Sequence, residues 1–411
     1  MKYHILWRIA WLATAAVASG QERPLPKQVD LTPKFTVLGL TVRTQFGRPS
    51  CGTFAITALA EFESARAHPG PAPALSEEFL WWACDQASGL KKDHSVLFQR
   101  VVNGLNTFGI CAEELMPYAK KKNSPHKPSA AALKDAARRA ERWRVIWIRH
   151  WAVNRQVDPE EFHALKQALA RGHPIACGLR WPKSSTGDDR LLQVPPADKV
   201  EDGHSISFVG YEDDASKPGG GIFRIRNSWG PKWGNDGYGI MSYAYVRAYL
   251  NDALWLEWGP PHSELPKERF QANALPIRAR HRCDVSTQAM KPWGSGMWGH
   301  GEQLFCRAEP KGFVEVEFHV KNAGRYRLRV EGTVAPDYGI IRIALDGKPT
   351  GPPFDLYSGM VGPSGPLELG IHNLAATKHR IRFRAVGKNA VSENFWFGVS
   401  AIDLLATTQE P

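Results

Sequence analysis

Four residues of this 411-residue chain, taken in order, could activate a thiol: Gln45, Cys51, His204 and Asn227. Cys51 lies in Gln45-Phe-Gly-Arg-Pro-Ser-Cys51-Gly52, His204 opens Gly203-His204-Ser-Ile-Ser-Phe-Val-Gly-Tyr211, and Asn227 sits in Arg226-Asn227-Ser228-Trp229-Gly230. A thiol attacks as its thiolate, so it needs a base. The base needs a partner that fixes its ring, and the oxyanion that develops needs a donor. Cys51 also falls where a loop runs into a helical pattern, and a helix N-terminus favours the thiolate. Taken singly, Cys51 reads as a small buried residue and His204, beside apolar Ile206 and Phe208, as a core or rim residue. The combination reverses both readings.

The elements that must position these groups change character along the chain. Gln21 to Thr44 is an extended lead-in with three prolines. From Cys51, Phe54, Ala55, Ala58, Leu59, Phe62 and Ala65 recur at helical spacing and predict one apolar face, which stops near His68-Pro69-Gly70-Pro71. Ser76-Glu77-Glu78 predicts the cap of a second helix, Val96 to Thr107 a third, and Pro159 to Arg171 a fourth ended by Gly172. Strands are expected at Ile175 to Leu179, His204 to Tyr211, Ile222 to Asn227 and Gly237 to Ser242. Helices first and strands second is an α+β order.

These motifs resemble the papain-like cysteine peptidases. Asn227-Ser-Trp-Gly-x-x-Trp-Gly-x-x-Gly-Tyr is the most specific of them, and the Gly203-His204 strand ending in Val-Gly-Tyr211 is similar to the family's histidine strand. The resemblance covers roughly residues 28 to 250. It implies a two-lobed fold, with a helical and a β lobe facing across a cleft. It also implies Cys51 as nucleophile, His204 as general base and Asn227 as the residue orienting its ring. Gln45, six positions before Cys51, would donate to the oxyanion, and Trp229 would lie over the His–Asn bond and exclude water. Gly203, Trp229 and Gly89 are the candidate substrate-binding residues. Gly89 is all that remains near Cys84 of the family's Gly-Gly pair. Arg48-Pro49-Ser50-Cys51-Gly52 departs from the family's Cys-Gly-Ser-Cys-Trp, so one family disulfide is missing. The segment from Trp181 to Val200 reads as a surface insertion.

Past Trp258-Gly-Pro-Pro261 a linker is expected over 261–275, followed by period-two alternation at Phe313 to Val320, Gly324 to Glu331, Ile340 to Leu345, His379 to Ala385 and Phe397 to Leu404. Over 276–411 this predicts an all-β sandwich. Gly324-Arg-Tyr-Arg-Leu, Asp337-Tyr-Gly339, Leu345-Asp-Gly347 and Phe354-Asp-Leu-Tyr357 loosely resemble jelly-roll, galactose-binding-like modules, which implies a carbohydrate or cell-surface ligand. Trp293, Trp298, Tyr338, Tyr357 and Trp396 could include a stacking platform, although core or rim packing is the simpler reading. With a polar linker between them, the two regions are expected to share few contacts and to fold separately.

Composition narrows the remaining classes. The net charge of +11 comes from scattered Lys and Arg, and no nucleic-acid motif accompanies Lys120-Lys121-Lys122 or Arg138-Arg139, so a nucleic-acid partner is not expected. Residues 1–20 read as a secretory signal: Lys2 and Arg8, an apolar stretch from Ile9 to Ala18, then Ala18-Ser19-Gly20. That stretch is shorter than the ~20 residues of a spanning helix, and no later segment could cross a bilayer. Residues 21–260 are therefore expected to form an exported peptidase domain. Only 21–44 precede Gln45, so further N-terminal trimming is not expected. Of six cysteines, Cys51 must stay free and Cys177 reads as a buried thiol. Pairing Cys84 with Cys111 and Cys283 with Cys306 is preferred among three connectivities. His281 with Cys283 is too sparse for zinc, so no metal or other cofactor is expected. The implied function is hydrolysis of peptide bonds in a polypeptide substrate. The alternatives are a binding scaffold with a relic peptidase domain and a Cys-dependent acyl transferase.

Overall fold

The computed structural model describes residues 24–68, 72–88, 97–120, 125–140, 142–153, 155–184, 189–259, 266–293, 298 and 301–407. The expected leader and Gly89 lie outside them, as do residues 185–188 and 260–265. A short strand, Gln28–Asp30 (β1), and a short helix, Thr32–Val37 (α1), lead into helices Cys51–Ala67 (α2), Glu77–Ser88 (α3), Phe98–Phe108 (α4) and Ala130–Ala137 (α5). Strands then dominate: Trp143–Arg149 (β2), Ile175–Pro182 (β3), Val200–Asp213 (β4), Gly221–Arg226 (β5), Tyr238–Ser242 (β6) and Leu250–Trp258 (β7). Helices Pro159–Ala170 (α6) and Tyr243–Tyr249 (α7) fall among them.

Local chemistry sets the helix ends. The Ser76 hydroxyl accepts the Phe79 N–H at 3.0 Å, and Asp158 with Glu161 forms a reciprocal capping box at the start of α6. Helix α2 departs from the single apolar face expected of it, because every residue from Cys51 to Ser64 is buried. It packs against α3 and α4 and also against β3, β4 and β7, so it has no solvent side. Its acidic residues are satisfied internally. Glu61 accepts from Arg43 at 2.7 Å and from the Leu75 N–H at 2.8 Å, while Glu63 pairs with Arg66 and His173.

The sheet of this half runs β2-β7-β3-β4-β5-β6, antiparallel, with β1 added to β4. Part of the 21–44 lead-in is thereby built into the fold. One core packs Phe35, Phe62, Phe208 and Phe223 between sheet and helices, and a second joins Ile56, Leu59, Leu80 and Trp81 to Leu254. The α+β arrangement places the N-terminus of α2 opposite the start of β4, which is where the chemistry sits.

The remaining strands are Glu268–Gln271 (β8), Ile277–Ala289 (β9), Glu302–His319 (β10), Gly324–Val334 (β11), Ile340–Leu345 (β12), Lys348–Asp355 (β13), Gly362–Leu374 (β14), Lys378–Gly387 (β15) and Phe397–Ala406 (β16). Strand β8 falls inside the expected linker and pairs with β16. The region is all-β, and its strands join in one antiparallel sheet of order β13-β12-β15-β10-β16-β11-β14 rather than dividing between two. The ends of that path meet, since Thr350 Oγ1 on β13 donates to the Leu369 carbonyl on β14 at 2.9 Å. The sheet thus curls nearly closed around Phe305, Val316, Leu328, Ile343, Phe383 and Phe397. Asp346 and Gly347, both at positive φ, make the tight turn from β12 to β13. Trp298 and Tyr338 are core residues and Trp396 packs on that core, so these rings form no open platform.

A few contacts cross between the two regions. The Gly359 N–H and the Ser358 hydroxyl donate to the Trp151 carbonyl at 2.5 and 3.2 Å, and Gln99 Nε2 donates to the Pro363 carbonyl at 2.7 Å. A Cβ on Gly359 would come within 2.8 Å of the Trp151 ring, and one on Gly362 within 2.0 Å of the Gln99 amide. Bare backbone is what lets the β region lie against the first. No helix among the described residues is long and apolar enough to cross a membrane.

All six cysteines are free thiols, so neither expected bridge is formed. Cys283 and Cys306 are diagonal neighbours across β9 and β10, and a thiol–thiol hydrogen bond joins them.

Candidate active site

The site forms where the loop Gln45–Ser50 enters α2, facing the first residues of β4 and the end of β5. Cys51 is the first residue of α2 and is buried. Its Sγ donates to the Gly203 carbonyl at 3.6 Å, and the Ser205 N–H and hydroxyl reach the same sulfur. The thiol is therefore bracketed by the residues on either side of His204. Burial pushes it above its ordinary pKa, while the Ser205 groups and the N–H groups of Gly52 and Cys51 pull the other way. Gly203 sits at φ +102 with nothing within 4 Å of where a Cβ would be, so conformation rather than crowding calls for glycine.

His204 Nε2 lies 2.8 Å from Asn227 Oδ1, and the same oxygen accepts the Ser228 N–H at 2.8 Å. An oxygen that already accepts a backbone N–H is the acceptor here, so Nε2 carries the proton. That tautomer leaves the Nδ1 lone pair for a second partner. Burial drives the imidazole pKa down to about 4, with the Asn227 bond opposing it. With the thiol turned to Gly203, burial disfavours charge on both groups. A thiolate–imidazolium pair requires the thiol to swing from the carbonyl to Nδ1.

Three tryptophans wall the imidazole. Trp229 stacks on it at 4.8 Å with 29° between the planes, and Trp181 meets it edge-on at 4.6 Å. Trp233 packs on Trp229 at 5.9 Å. The position of Trp229 agrees with its expected place over the His–Asn bond. Trp181 corrects the sequence reading: it begins no surface insertion but lies buried near the end of β3, one residue past a register shift opposite β4. Its alternation with Leu179, which pairs with His204, was the signal available for it.

Gln45 is buried and held on both ends of its amide. Oε1 accepts the Ser228 hydroxyl at 2.5 Å, and Nε2 donates to the Arg48 carbonyl at 2.7 Å. Its backbone N–H donates to the Ser228 carbonyl at 2.9 Å. One Nε2 hydrogen remains, on the loop that leads to Cys51. Ser228, part of the Asn-Ser-Trp-Gly motif but given no role from sequence, is what ties this loop to β5.

Arg48 also went unassigned. It forms a buried pair with Glu78, with Nη1 at 2.6 Å and Nη2 at 3.3 Å, and lies between the rings of Trp81 and Tyr118 at 4.6 and 4.4 Å. The Tyr118 hydroxyl meets Ser50 Oγ at 2.5 Å and donates to the Gln45 carbonyl at 3.1 Å. The loop is braced by these contacts at the place where the family's disulfide is missing. Among the described residues, no group of three or more His, Cys, Asp or Glu could hold a metal ion.

Residues 25–250 match the papain family cysteine protease family. A peptidase C1-like protein of Acanthamoeba polyphaga mimivirus is 25% identical over 166 residues, 39% of this chain and 50% of that protein. Peptidase 1 of Euroglyphus maynei is 26% identical over 223 residues, 53% of this chain and 61% of that one. The match thus spans between half and two thirds of these relatives. Among solved structures, xylellain, a cysteine protease from Xylella fastidiosa, is 27% identical with a TM-score of 0.47, covering 58% of this chain and 88% of that one.

Proposed function

This chain belongs to the papain family of cysteine proteases, and from that premise we propose that it hydrolyses peptide bonds through Cys51, His204, Asn227 and Gln45. The observation that carries the reading is the His204 Nε2–Asn227 Oδ1 bond, because it leaves Nδ1 to take a proton while the Cys51 thiol lies between Gly203 and Ser205. The thiol proton passes to Nδ1 and Sγ attacks the carbonyl carbon. The new oxyanion accepts from the spare Gln45 Nε2–H and the Cys51 N–H. On collapse the C–N bond breaks, the Nδ1 proton leaves with the amine, and an acyl-thioester remains. Water, giving a proton to Nδ1, then attacks the thioester, and the thiol recovers that proton as the acid departs. The desolvation that disfavours charge on both groups is offset in this sequence by pairing the two charges at contact distance.

Trp229 stacks on His204 and the Gly203 carbonyl meets Cys51 Sγ, so they are the residues assigned to substrate here. Gly89 is retained as a third from its place in the sequence. The leader-like residues 1–20 support export to a secreted or periplasmic location. The C-terminal β region is read as an accessory module for carbohydrate or cell-surface binding. The test is labelling with a thiol-directed epoxide, together with turnover of a peptide library. Labelling should disappear in Cys51→Ala, and Cys51→Ser should fold normally yet lose nearly all cleavage. A labelled but non-hydrolysing wild type would favour the relic scaffold. Transfer of acyl groups to amines in preference to water would favour the acyl transferase.

A further inference from the structure

Between the two regions lies a cavity of about 390 Å³, within the about 300–1,000 Å³ typical of small-molecule sites. Its first wall is α4 and β2, and its second is β11, β14 and β16. A neighbouring cavity of about 320 Å³ shares Trp147 and Glu368 with it. Among the buried polar atoms of the wall with no protein hydrogen bond are Asn103 Nδ2, Asn106 Oδ1, Trp143 Nε1 and Ser400 Oγ. Trp143 is almost wholly buried. Buried polar atoms cost free energy unless something bonds them, and four on one cavity wall define a place for a polar ligand.

The chemistry of the wall narrows its class. The guanidinium of Arg144 is engaged by Glu257 and that of Arg329 by Asp403, while Arg327 adds a cation and Glu368 a carboxylate, so the wall carries charges of both signs with no surplus of either. What is offered beside these balanced charges is mixed: two N–H donors, one carbonyl acceptor and one hydroxyl. Trp143 and Trp147 add aromatic surface. A molecule that both donates and accepts at several points while presenting an apolar ring face is a saccharide. We propose that this junction binds a neutral mono- or disaccharide, with Asn103, Asn106 and Trp143 from the peptidase domain and Ser400 from the β region each bonding its hydroxyls. The proposal rests on the carbohydrate-binding reading of the C-terminal region, and moves the site from that module alone to its seam with the peptidase domain.

The test titrates the full chain calorimetrically with cellobiose, lactose, maltose and diacetylchitobiose, alongside pull-down on insoluble polysaccharide. At least one sugar should bind in the millimolar range or tighter and raise the unfolding temperature. Asn106→Leu and, separately, Asn103→Leu should each weaken that binding by about tenfold, the scale of one buried hydrogen bond. Both variants should cleave a short peptide at the wild-type rate, which shows that they fold. Sugar binding unchanged in both variants overturns the junction site but leaves the carbohydrate reading standing, as does retention on polysaccharide with no binding of soluble sugars. Loss of both forms of binding overturns the two together. Binding of sulfate or an acidic peptide in place of all four sugars overturns the neutral-ligand class.

Discussion

Replacing Glu78 with glutamine should loosen the loop that carries the nucleophile. The Glu78 carboxylate is wholly buried, and besides the Arg48 guanidinium it accepts the backbone N–H groups of Ala119 and His126 at 3.1 and 3.3 Å. Glutamine keeps the shape and one acceptor but removes the charge, so the buried Arg48 is left without a counter-ion. Breaking such a pair from one side costs about 3–5 kcal/mol. Trp81 and Tyr118 still flank the guanidinium, which places the loss near the lower end, about 3 kcal/mol. For a domain of this size that lowers Tm by roughly 6–12 °C. Adding Arg48→Met removes the stranded cation and should recover at least about 2 kcal/mol, a coupling that urea unfolding of the two single variants and the double variant would measure. The Arg48 carbonyl also holds Gln45 Nε2 and the Ser50 N–H. The single variant should therefore lose kcat with little change in KM. A cost below about 1 kcal/mol in Glu78→Gln, or a double variant no more stable than the single one, would refute the reasoning.

Gln45→Ala should lower kcat by about 10²–10³-fold with KM nearly unchanged, the range for one oxyanion donor; steady-state rates on a fluorogenic peptide decide it, and a loss confined to KM would contradict the role. Asn227→Ala should also reduce kcat, because it frees the His204 ring. The bell-shaped pH dependence of kcat/KM expected of the wild type should then be displaced as well as lowered, and equal profiles would argue against ring orientation. Stability should depend on acid through His204. Its folded pKa of about 4 lies below the ordinary ~6.5, so as pH falls the unfolded chain takes the proton first. The stabilisation is full above about pH 6.5 and is lost between about 6.5 and about 4, amounting to about 3 kcal/mol relative to His204→Gln. Parallel stability curves for wild type and variant across that range would exclude it.

The four candidate residues stand out in the sequence because each is marked by its immediate neighbours: the glycine before His204, the Asn-Ser-Trp-Gly run around Asn227, and the six-residue spacing of Gln45 and Cys51. Helices α3 and α6 were legible for the same reason, since their caps lie within a few residues of what they cap. What escaped depends on partners far along the chain. Arg48 acquires its meaning from Glu78, thirty residues on, and Trp181 from the ring of His204 across a strand pair with a register shift. Strands β2 and β7 pair with one another over more than a hundred residues, and neither alternates cleanly enough to declare itself. Helix α2 showed an apolar stripe but hid its polar burial, because Glu61 and Glu63 find Arg43 and His173 as partners from elsewhere. The contacts of Gly359 and Gly362 with Trp151 and Gln99 were invisible for a related reason: a missing side chain signals closeness only once its neighbour is known.

The Arg48–Glu78 brace has a bearing on the conditions under which such an enzyme could work. A thiol nucleophile needs a reducing environment to stay unoxidised, and a loop stapled by a neighbouring disulfide would face that same reductant. Here the loop is held by charge, two aromatic faces and a hydroxyl pair, none of which thiol–disulfide exchange can attack.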